Sequence, residues 1–340
     1  MRIGVLASIA HRLPPVGYGP WEQIAWTLTE GFVARGHDVT LFASRDSVTS
    51  ALLHPTSPAG YEEDRLLDAK VEECLHIAAA FERAGEFDVL ANHFDFMPLS
   101  YSRLVRTPMV TTIHGFSSER IVPVFRAYDD IAHYVAISNA DRHPHLHYAA
   151  TIHHGIDVAS FTFSPGPGSY LLFLGRIHPD KGTDLAIEVA RRSGVPLVIA
   201  GIIQDQVYFD TLVQPLVDGT QVRYVGQVGP AERNALIGGA LAMLHLIRFA
   251  EPFGLSVVES LACGTPVIAT PRGSLPELLQ DGVTGFLVPD VDSAVAAVDA
   301  VRLLDRAACR ADAESRFTAD RMIDDHLRVF RDVVEAPRAT

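Results

Sequence analysis

Cysteine is scarce in this chain, and the spacing of the cysteines excludes the common cysteine-based sites. Cys74, Cys263 and Cys309 lie far apart and form none of the short pairs typical of zinc sites or redox centres. Long apolar runs are also missing: only residues 3–7 are apolar before Ser8, and no run reaches the length of a membrane span. We therefore expect a cytoplasmic protein with reduced thiols, no signal peptide and no transmembrane helix.

Positive charge is in deficit, with 28 Lys and Arg against 41 Asp and Glu and a formal net charge of −13. Proteins whose whole surface attracts nucleic acid need an excess of cations, so this class is excluded, although a local basic pocket is not. Apolar residues make up 48% of the chain, which is ample for buried cores. The 340 residues are about right for two α/β domains of roughly 100–200 residues each.

Apolar runs of strand length alternate with amphipathic segments in both halves of the chain, which predicts parallel sheets covered by helices on both faces. The predicted strands are 3–7, 39–43, 89–90, 110–113, 134–137, 170–174, 197–200, 222–225, 242–246, 267–269 and 286–288. Residues 165–168 read Pro-Gly-Pro-Gly and break any regular element. We predict two Rossmann-like doubly wound domains, 1–165 and 168–317, with a last helix within 318–340 that packs on either domain.

The loop 175–182 reads Gly-Arg-Ile-His-Pro-Asp-Lys-Gly and directly follows a predicted strand. Ligands of parallel sheets bind outside the carboxyl ends of the strands. Arg176, Lys181 and the free N–H groups of the helix that begins near Thr183 all favour a negatively charged ligand, so Gly175–Gly182 is a candidate diphosphate site. The alternative is a solvated loop whose cations pair with Asp180 and Asp184.

The segment 251–259 reads Glu-Pro-Phe-Gly-Leu-Ser-Val-Val-Glu and also follows a predicted strand. Glu251, Glu259 and the N–H groups of Phe253, Gly254 and Leu255 are candidate ligands for sugar or ribose hydroxyls, because carboxylates accept hydrogen bonds from vicinal diols. In the alternative, Glu259 only interacts favourably with the helix dipole.

Two features of the first half are further candidates. The loop 14–20 contains Gly17 and Gly19, where a backbone can approach a ligand closely, but Glu22 stands at the third glycine position of the dinucleotide fingerprint, which disfavours NAD binding. His114 ends the predicted strand 110–113 and is a candidate hydrogen-bond donor to a ligand, or else a structural histidine.

Together these segments resemble the family-4 retaining glycosyltransferases with the GT-B fold, in which two Rossmann-like domains face each other across a cleft. Five segments of the second half carry the resemblance in order: 175–182, 225–228, 251–259, 262–267 and 281–286. In the first half, Pro20 stands where the family usually has a second glycine, and His154 stands where it commonly has asparagine.

The resemblance assigns a role to each candidate residue. Arg176 and Lys181 would hold the donor pyrophosphate and stabilise the leaving diphosphate, which replaces a divalent metal. Glu251 would contact the donor sugar, with the backbone of Phe253–Leu255 nearby, and Glu259 would bind the ribose. The remaining implied donor-binding positions are Gly175 and Gly19 near the phosphates, His114 at the sugar, and Gln227 and Val228 near the base.

The function implied by the resemblance is transfer of a sugar from a UDP- or GDP-sugar to an acceptor hydroxyl, with retention at the anomeric carbon and no metal or other cofactor. The acceptor is left open between a natural product, a saccharide and a lipid, and the last would involve peripheral membrane contact. Two alternatives are another GT-B reaction on nucleotide sugars, such as epimerisation, and a nucleotide-binding relative that has lost catalysis.

Overall fold

The structure is a computed structural model that describes residues 1–116 and 118–336. The chain forms two compact units. The first unit consists of Met1–Gly155 and the C-terminal segment that begins at Ala319, and the second consists of Ile156–Thr318. Ser117 and residues 337–340, the end of the predicted last helix, lie outside the described residues.

Each unit contains one fully parallel sheet, which confirms the predicted α/β class with two Rossmann-like domains. The first sheet has the order β3-β2-β1-β4-β5-β6-β7, and the second has the order β10-β9-β8-β11-β12-β13. The strands are β1 Arg2–Leu6, β2 Asp38–Ser44, β3 Leu52–Ser57, β4 Val89–Asn92, β5 Met109–Ile113, β6 His133–Ala136, β7 Tyr148–Thr151, β8 Tyr170–Leu174, β9 Leu197–Ala200, β10 Val222–Gly226, β11 Ala240–His245, β12 Val267–Ala269 and β13 Gly285–Leu287.

Loops without a helix join β2 to β3 and β6 to β7, and most of the other strands are connected by helices. They are α1 Pro20–Ala34, α2 Ala69–Glu82, α3 Val122–Ala127, α4 Thr183–Ser193, α5 Gln206–Tyr208, α6 Pro230–Gly239, α7 Leu255–Ala262, α8 Leu275–Leu278, α9 Val291–Ala300, α10 Arg306–Arg316 and α11 Ala319–Glu335. None of the helices in the described part of the chain is long and apolar enough to cross a bilayer.

The last helix, α11, packs on α1 within the first unit. The rings of Phe32 and Phe330 lie 5.4 Å apart, and Arg35 donates a hydrogen bond of 2.5 Å to Asp324. A Cβ atom at Gly31 would lie 2.2 Å from the side chain of Ile323, so the small residue allows the two helices to approach closely. The C-terminal helix therefore completes the first unit.

The two units meet in sequence at Gly155 and Ile156, before the Pro-Gly segment 165–168 where the sequence pattern placed the boundary. The intervening residues pack on the second unit. Thr162 donates its backbone N–H to the Asn234 side chain at 3.1 Å, and Ser164 donates its own to the Cys263 carbonyl at 3.0 Å. Residues 156–165 thus run along the second unit although their sequence has no periodic pattern.

Candidate active site

The loop between β8 and α4 carries both predicted phosphate-binding cations. It ends in a 3₁₀ turn, Pro179–Lys181, followed by Gly182 in the left-handed conformation with φ of 71°. A Cβ atom at Gly182 would lie 2.1 Å from the carbonyl oxygen of Leu246, just beyond β11. Only glycine fits this close approach, which holds the loop against the carboxyl end of the neighbouring strand.

Lys181 forms a short ion pair with Glu251 at the carboxyl edge of the second sheet. Its Nζ lies 2.5 Å from Glu251 Oε2 and 4.7 Å above the ring of Phe249. The side chains of Lys181 and Glu251 are only 15% and 12% exposed. The alternative in which the loop cations pair with Asp180 and Asp184 does not describe Lys181, because its partner comes from a different loop.

Glu251 also receives a hydrogen bond from a buried histidine at the end of β11. His245 Nε2 lies 3.3 Å from the oxygen of Glu251 that contacts Lys181. Burial alone would raise the pKa of Glu251, but the hydrogen bond from His245 and the charge of Lys181 lower it to about 2. The site therefore contains a carboxylate that stays ionised at all physiological pH values.

The loop that begins at Glu251 is fixed by the turn before α8. Ser274 donates its backbone N–H to the Glu251 carbonyl at 2.9 Å and its hydroxyl to the Phe253 carbonyl. A Cβ atom at Gly273, whose φ is 58°, would lie 2.3 Å from the backbone of Glu251. These contacts hold the backbone of Glu251 and Phe253 in one arrangement.

Two helices begin at this edge of the sheet with no side-chain cap. The N-caps of α4 and α7 are Gly182 and Gly254, which both have left-handed backbones. The first N–H groups of a helix lack intrahelical partners and carry the positive end of the helix dipole. Leu255 is the first residue of α7, and the predicted N–H donors at residues 253–255 lie at this helix start.

The other predicted donor-binding residues of the second unit lie at the same sheet edge or on α7. Gly175 and Arg176 follow β8, and the Arg176 guanidinium contacts the side chain of Gln204 in the loop after β9. Gln227 and Val228 follow β10, where Gln227 is exposed and Val228 is half-buried. The structure thus brings Lys181 and Glu251 into contact, whereas Arg176 contacts a different side chain.

Glu259 is buried on α7 and pairs with a cation that the sequence pattern did not single out. Arg233 on α6 places Nη1 3.3 Å from Glu259 Oε1. Burial raises the pKa of Glu259, and the charge of Arg233 only partly offsets the increase. Arg233 also lies over the ring of Phe161, 6.0 Å from its centre.

In the first unit, the loop before α1 packs tightly around Gly19. A Cβ atom at Gly19 would lie 2.8 Å from Pro15 and 3.1 Å from the carboxylate of Glu22. Glu22 is 3% exposed and lies on the buried side of α1. Glu22, the residue that departs from the dinucleotide fingerprint, therefore packs directly against Gly19.

His114 belongs to a buried cluster of four imidazoles, which we call the histidine cluster: His93, His114, His154 and His326. His114 Nε2 lies 3.0 Å from His93 Nδ1, and His114 Nδ1 lies 3.4 Å from His154 Nε2. Trp21, at the start of α1, stacks on His114 with the ring centres 5.6 Å apart. Both ring nitrogens of His114 are thus within hydrogen-bond distance of other imidazoles.

Burial is the main cause of a lowered pKa at each member of the histidine cluster. Neighbouring imidazoles lower the pKa of His93, His114 and His154 further. His326 donates Nδ1–H to the Met322 carbonyl at 2.8 Å, which leaves its Nε2 to accept from the Thr112 hydroxyl at 3.2 Å. The cluster is therefore neutral at pH 7.

The sequence pattern missed several side chains that contact the predicted site residues, among them His245, Arg233 and His93. His245 and Arg233 are single polar residues in a strand and a helix, and nothing in their spacing points to Glu251 or Glu259. His93 directly follows β4, and His114 directly follows β5. Because these two strands are neighbours in the sheet, their shared position after a strand could have predicted that the two histidines lie close together.

Comparison with known proteins decides the family. Residues 161–313, nearly the whole second unit, match the family model described as glycosyl transferases group 1. The second unit of this chain is a group 1 glycosyltransferase domain. This glycosyltransferase is 28% identical over 335 residues to a phosphatidyl-myo-inositol mannosyltransferase of Mycobacterium leprae, and the alignment covers 89% of this chain and 87% of the relative.

Solved structures share the fold over the full chain. A sucrose-phosphate synthase from Thermosynechococcus elongatus aligns with a TM-score of 0.80 and 18% identity, covering 99% of this chain and 100% of the other. Anabaena HepE, solved in complex with UDP and glucose, aligns with a TM-score of 0.72 and 19% identity, covering 97% and 99%. These likenesses show the fold of the glycosyltransferase.

Proposed function

We propose that this glycosyltransferase moves a sugar from a UDP- or GDP-sugar to an acceptor hydroxyl, with retention at the anomeric carbon and without a metal. The observation that carries the proposal is the contact of 2.5 Å between Lys181 and Glu251, which adjoins two helix starts that have no side-chain cap. A cation beside the N-terminal ends of two helices suits a diphosphate, and an ionised carboxylate suits sugar hydroxyls.

In the proposed reaction, the bond between the anomeric carbon and the diphosphate oxygen breaks, and the electron pair leaves with the diphosphate. Arg176 and Lys181 stabilise the charge that develops on this leaving group. The acceptor hydroxyl gives its proton to a phosphate oxygen on the same face of the sugar, and its oxygen forms the new bond to carbon. No enzyme nucleophile is required for retention in this scheme.

The remaining residues bind the donor. Glu251 and the N–H groups at 253–255 contact the sugar, and Glu259, held by Arg233, binds the ribose hydroxyls. Gly175 and Gly19 lie beside the phosphates, Gln227 and Val228 beside the base, and His114 beside the sugar. Metal independence follows from the two cations, which offset the charge that a divalent ion offsets in other enzymes.

The names of the similar proteins support the substrate classes. The Anabaena structure contains UDP and glucose, and the M. leprae relative is named for a phosphatidyl-myo-inositol acceptor. We propose an acceptor that is a lipid, a saccharide or a natural product, and a lipid acceptor would bring peripheral membrane contact.

Turnover by Arg176→Ala and Lys181→Ala tests the proposal. A panel of labelled UDP- and GDP-sugars is incubated with candidate acceptors, and we expect each variant to lose at least about 10²-fold in kcat while its unfolding transition is retained. Full activity in both variants would refute the phosphate role. Chelation by EDTA should leave wild-type turnover unchanged, and its loss would refute metal independence.

A second arm separates transfer from the two alternatives. The labelled donor is incubated without acceptor and its sugar is analysed. A transferase releases at most a little free sugar, whereas an epimerase converts the sugar into its isomer. Tight nucleotide binding without turnover on every acceptor would instead indicate a relative that has lost catalysis.

A further inference from the structure

Arg248 joins the loop that carries Lys181 to the loop that carries Glu251. Its guanidinium Nη1 donates to the Pro179 carbonyl at 2.7 Å, and its backbone N–H donates to the Asp180 carbonyl at 2.7 Å. Both acceptors belong to the 3₁₀ turn that ends at Lys181. Arg248 itself precedes Glu251 by three residues, in the loop that follows β11.

The same guanidinium forms a two-pronged contact with the first turn of α4. Nη1 lies 2.8 Å from Asp184 Oδ1, and Nη2 lies 2.6 Å from Asp184 Oδ2. Tyr208 donates its hydroxyl to Asp184 Oδ1 at 2.5 Å. Burial alone would raise the pKa of Asp184, but hydrogen bonds from Arg248 and Tyr208 hold it below its usual range.

These bonds use the planar fork of arginine in a way that lysine cannot reproduce. A guanidinium binds both oxygens of a carboxylate and keeps a further donor for a carbonyl, whereas an ammonium acts as a single point charge. Because the donors of Arg248 are directed at Asp184 and Pro179, its charge is already matched within the protein.

We propose that Arg248 is a positioning residue that fixes the Pro179–Lys181 turn relative to Glu251, so that Lys181 meets the donor diphosphate while Glu251 meets the sugar. Three contacts connect the two loops: the Arg248 bonds, the close approach of Gly182 to Leu246, and the Lys181–Glu251 pair. Of these, the first two persist if a diphosphate draws Lys181 away from Glu251. This inference rests on the proposed function, because it requires a diphosphate ligand.

A double-mutant cycle tests whether Arg248 acts through Lys181. The affinities of UDP and GDP are measured by calorimetry for the wild type, Arg248→Met, Lys181→Met and the double variant. Arg248→Met should weaken binding of the preferred diphosphate about tenfold when Lys181 is present and less than about twofold when Lys181 is methionine. Equal losses in both backgrounds, or no loss in either, would overturn the inference.

Two variants guard against a general loss of folding. Arg192→Met removes another surface arginine of the same unit, which lies 2.6 Å from Asp292, and it should leave diphosphate affinity unchanged. Asp184→Asn keeps the shape of the carboxylate but weakens its bond to Arg248, so it should reduce affinity in the same direction as Arg248→Met. If Asp184→Asn and Arg248→Lys, made as separate variants, both bound the diphosphate with wild-type affinity, the positioning role would be contradicted.

The wild-type titration separates this inference from the proposed function. If the wild type binds neither UDP nor GDP, the proposed function itself fails, and Arg248 has no diphosphate to position. If the wild type binds one of them and the cycle shows no coupling, the proposed function stands and the role of Arg248 is wrong.

Discussion

The candidate site of the second unit is built from charges, whereas the histidine cluster of the first unit is built from neutral rings. Lys181 and Glu251 are ionised and paired at 2.5 Å with side chains that are only 15% and 12% exposed. The four buried imidazoles of the first unit lie against one another and against Trp21, and burial suppresses their charge. The first region therefore contains a pair of opposite charges, and the second contains rings that are uncharged at pH 7.

The difference shows that similar parallel sheets can carry ionised groups at their strand ends in one unit and neutral groups in the other. Burying an ionised group is tolerated when an opposite charge and hydrogen bonds accompany it, as at Glu251. Burying a histidine costs less free energy, because its ordinary pKa lies near neutrality and the loss of one proton removes its charge. The two regions should therefore respond differently to substitution and to pH.

The largest effect is expected at Glu251, because it is the ionised group proposed to contact the sugar. Glu251→Gln should lower kcat by about 10²–10³-fold and leave UDP or GDP affinity within a few-fold, since the cations remain. Steady-state kinetics with calorimetry checks both values, and Glu188→Gln at an exposed position of α4 is the matched control. A loss confined to diphosphate affinity would contradict the separation of roles.

His114→Ala should lower kcat by about 10²-fold, because the ring proposed to lie beside the sugar is removed and the sugar is then misplaced relative to the leaving group. Diphosphate affinity should not change, because no charge is removed from the second unit. Kinetics and calorimetry on the same preparation test this, with exposed His145→Ala as the control. If His114→Ala abolished diphosphate binding instead, the contrast between a charged and a neutral region would be wrong.

The histidine cluster and His76 should make the first unit sensitive to mild acid. Burial lowers the pKa of His76 and His326 to about 4, against about 6.5 when unfolded. The unfolded chain then binds more protons between these values, so stability is lost as the pH falls from about 6.5 to 4. Asp95 and Asp141, with pKa raised by burial to about 7, and Glu73, whose pKa burial also raises, act in the opposite direction but are fewer than the five buried histidines of the first unit.

His326→Asn isolates one of these titrations. The slope of unfolding free energy against pH should fall by about 1.4 kcal/mol per pH unit between about pH 4 and 6.5, relative to the wild type. Urea unfolding at a series of pH values measures it. Glu251 affects stability at lower pH, because the contribution of its ionised carboxylate to the free energy of unfolding is lost only as the pH falls from about 4.5 to about 2. Parallel profiles for the wild type and His326→Asn would contradict the neutral state of His326.

The smallest effect is expected for His154→Asn, which introduces the residue that the family commonly carries. An asparagine amide can still donate toward His114 Nδ1, now 3.4 Å from His154 Nε2, so kcat should change by less than about threefold. Steady-state kinetics measures it. A loss as large as that of His114→Ala would show that the imidazole of His154 is itself required.

The fold was largely readable from apolar runs, because central parallel strands are buried on both faces. Strand β8 has the predicted bounds, and all six strands of the second sheet were anticipated. Strands β3 and β7, at the edges of the first sheet, were missed. There, Pro55 and partly exposed side chains blur the apolar pattern of β3.

Site residues could be predicted from the sequence only where they stand close together in one short segment. The cations and carboxylates after β8 and β11 stand in compact segments, so their presence at one sheet edge could be predicted. Partners such as His245, Arg233 and Arg248 depend on side-chain directions across different loops. His326 reaches the histidine cluster only because α11 returns to the first unit, which no short motif indicates.

Calorimetric titration of UDP and GDP into the wild type and Lys181→Ala tests the central claim most directly. We predict that the wild type binds at least one diphosphate and that Lys181→Ala binds it at least about tenfold more weakly, since a charge-assisted contact is lost. Equal affinity in the two proteins would contradict the claim that the loop between β8 and α4 holds the leaving group.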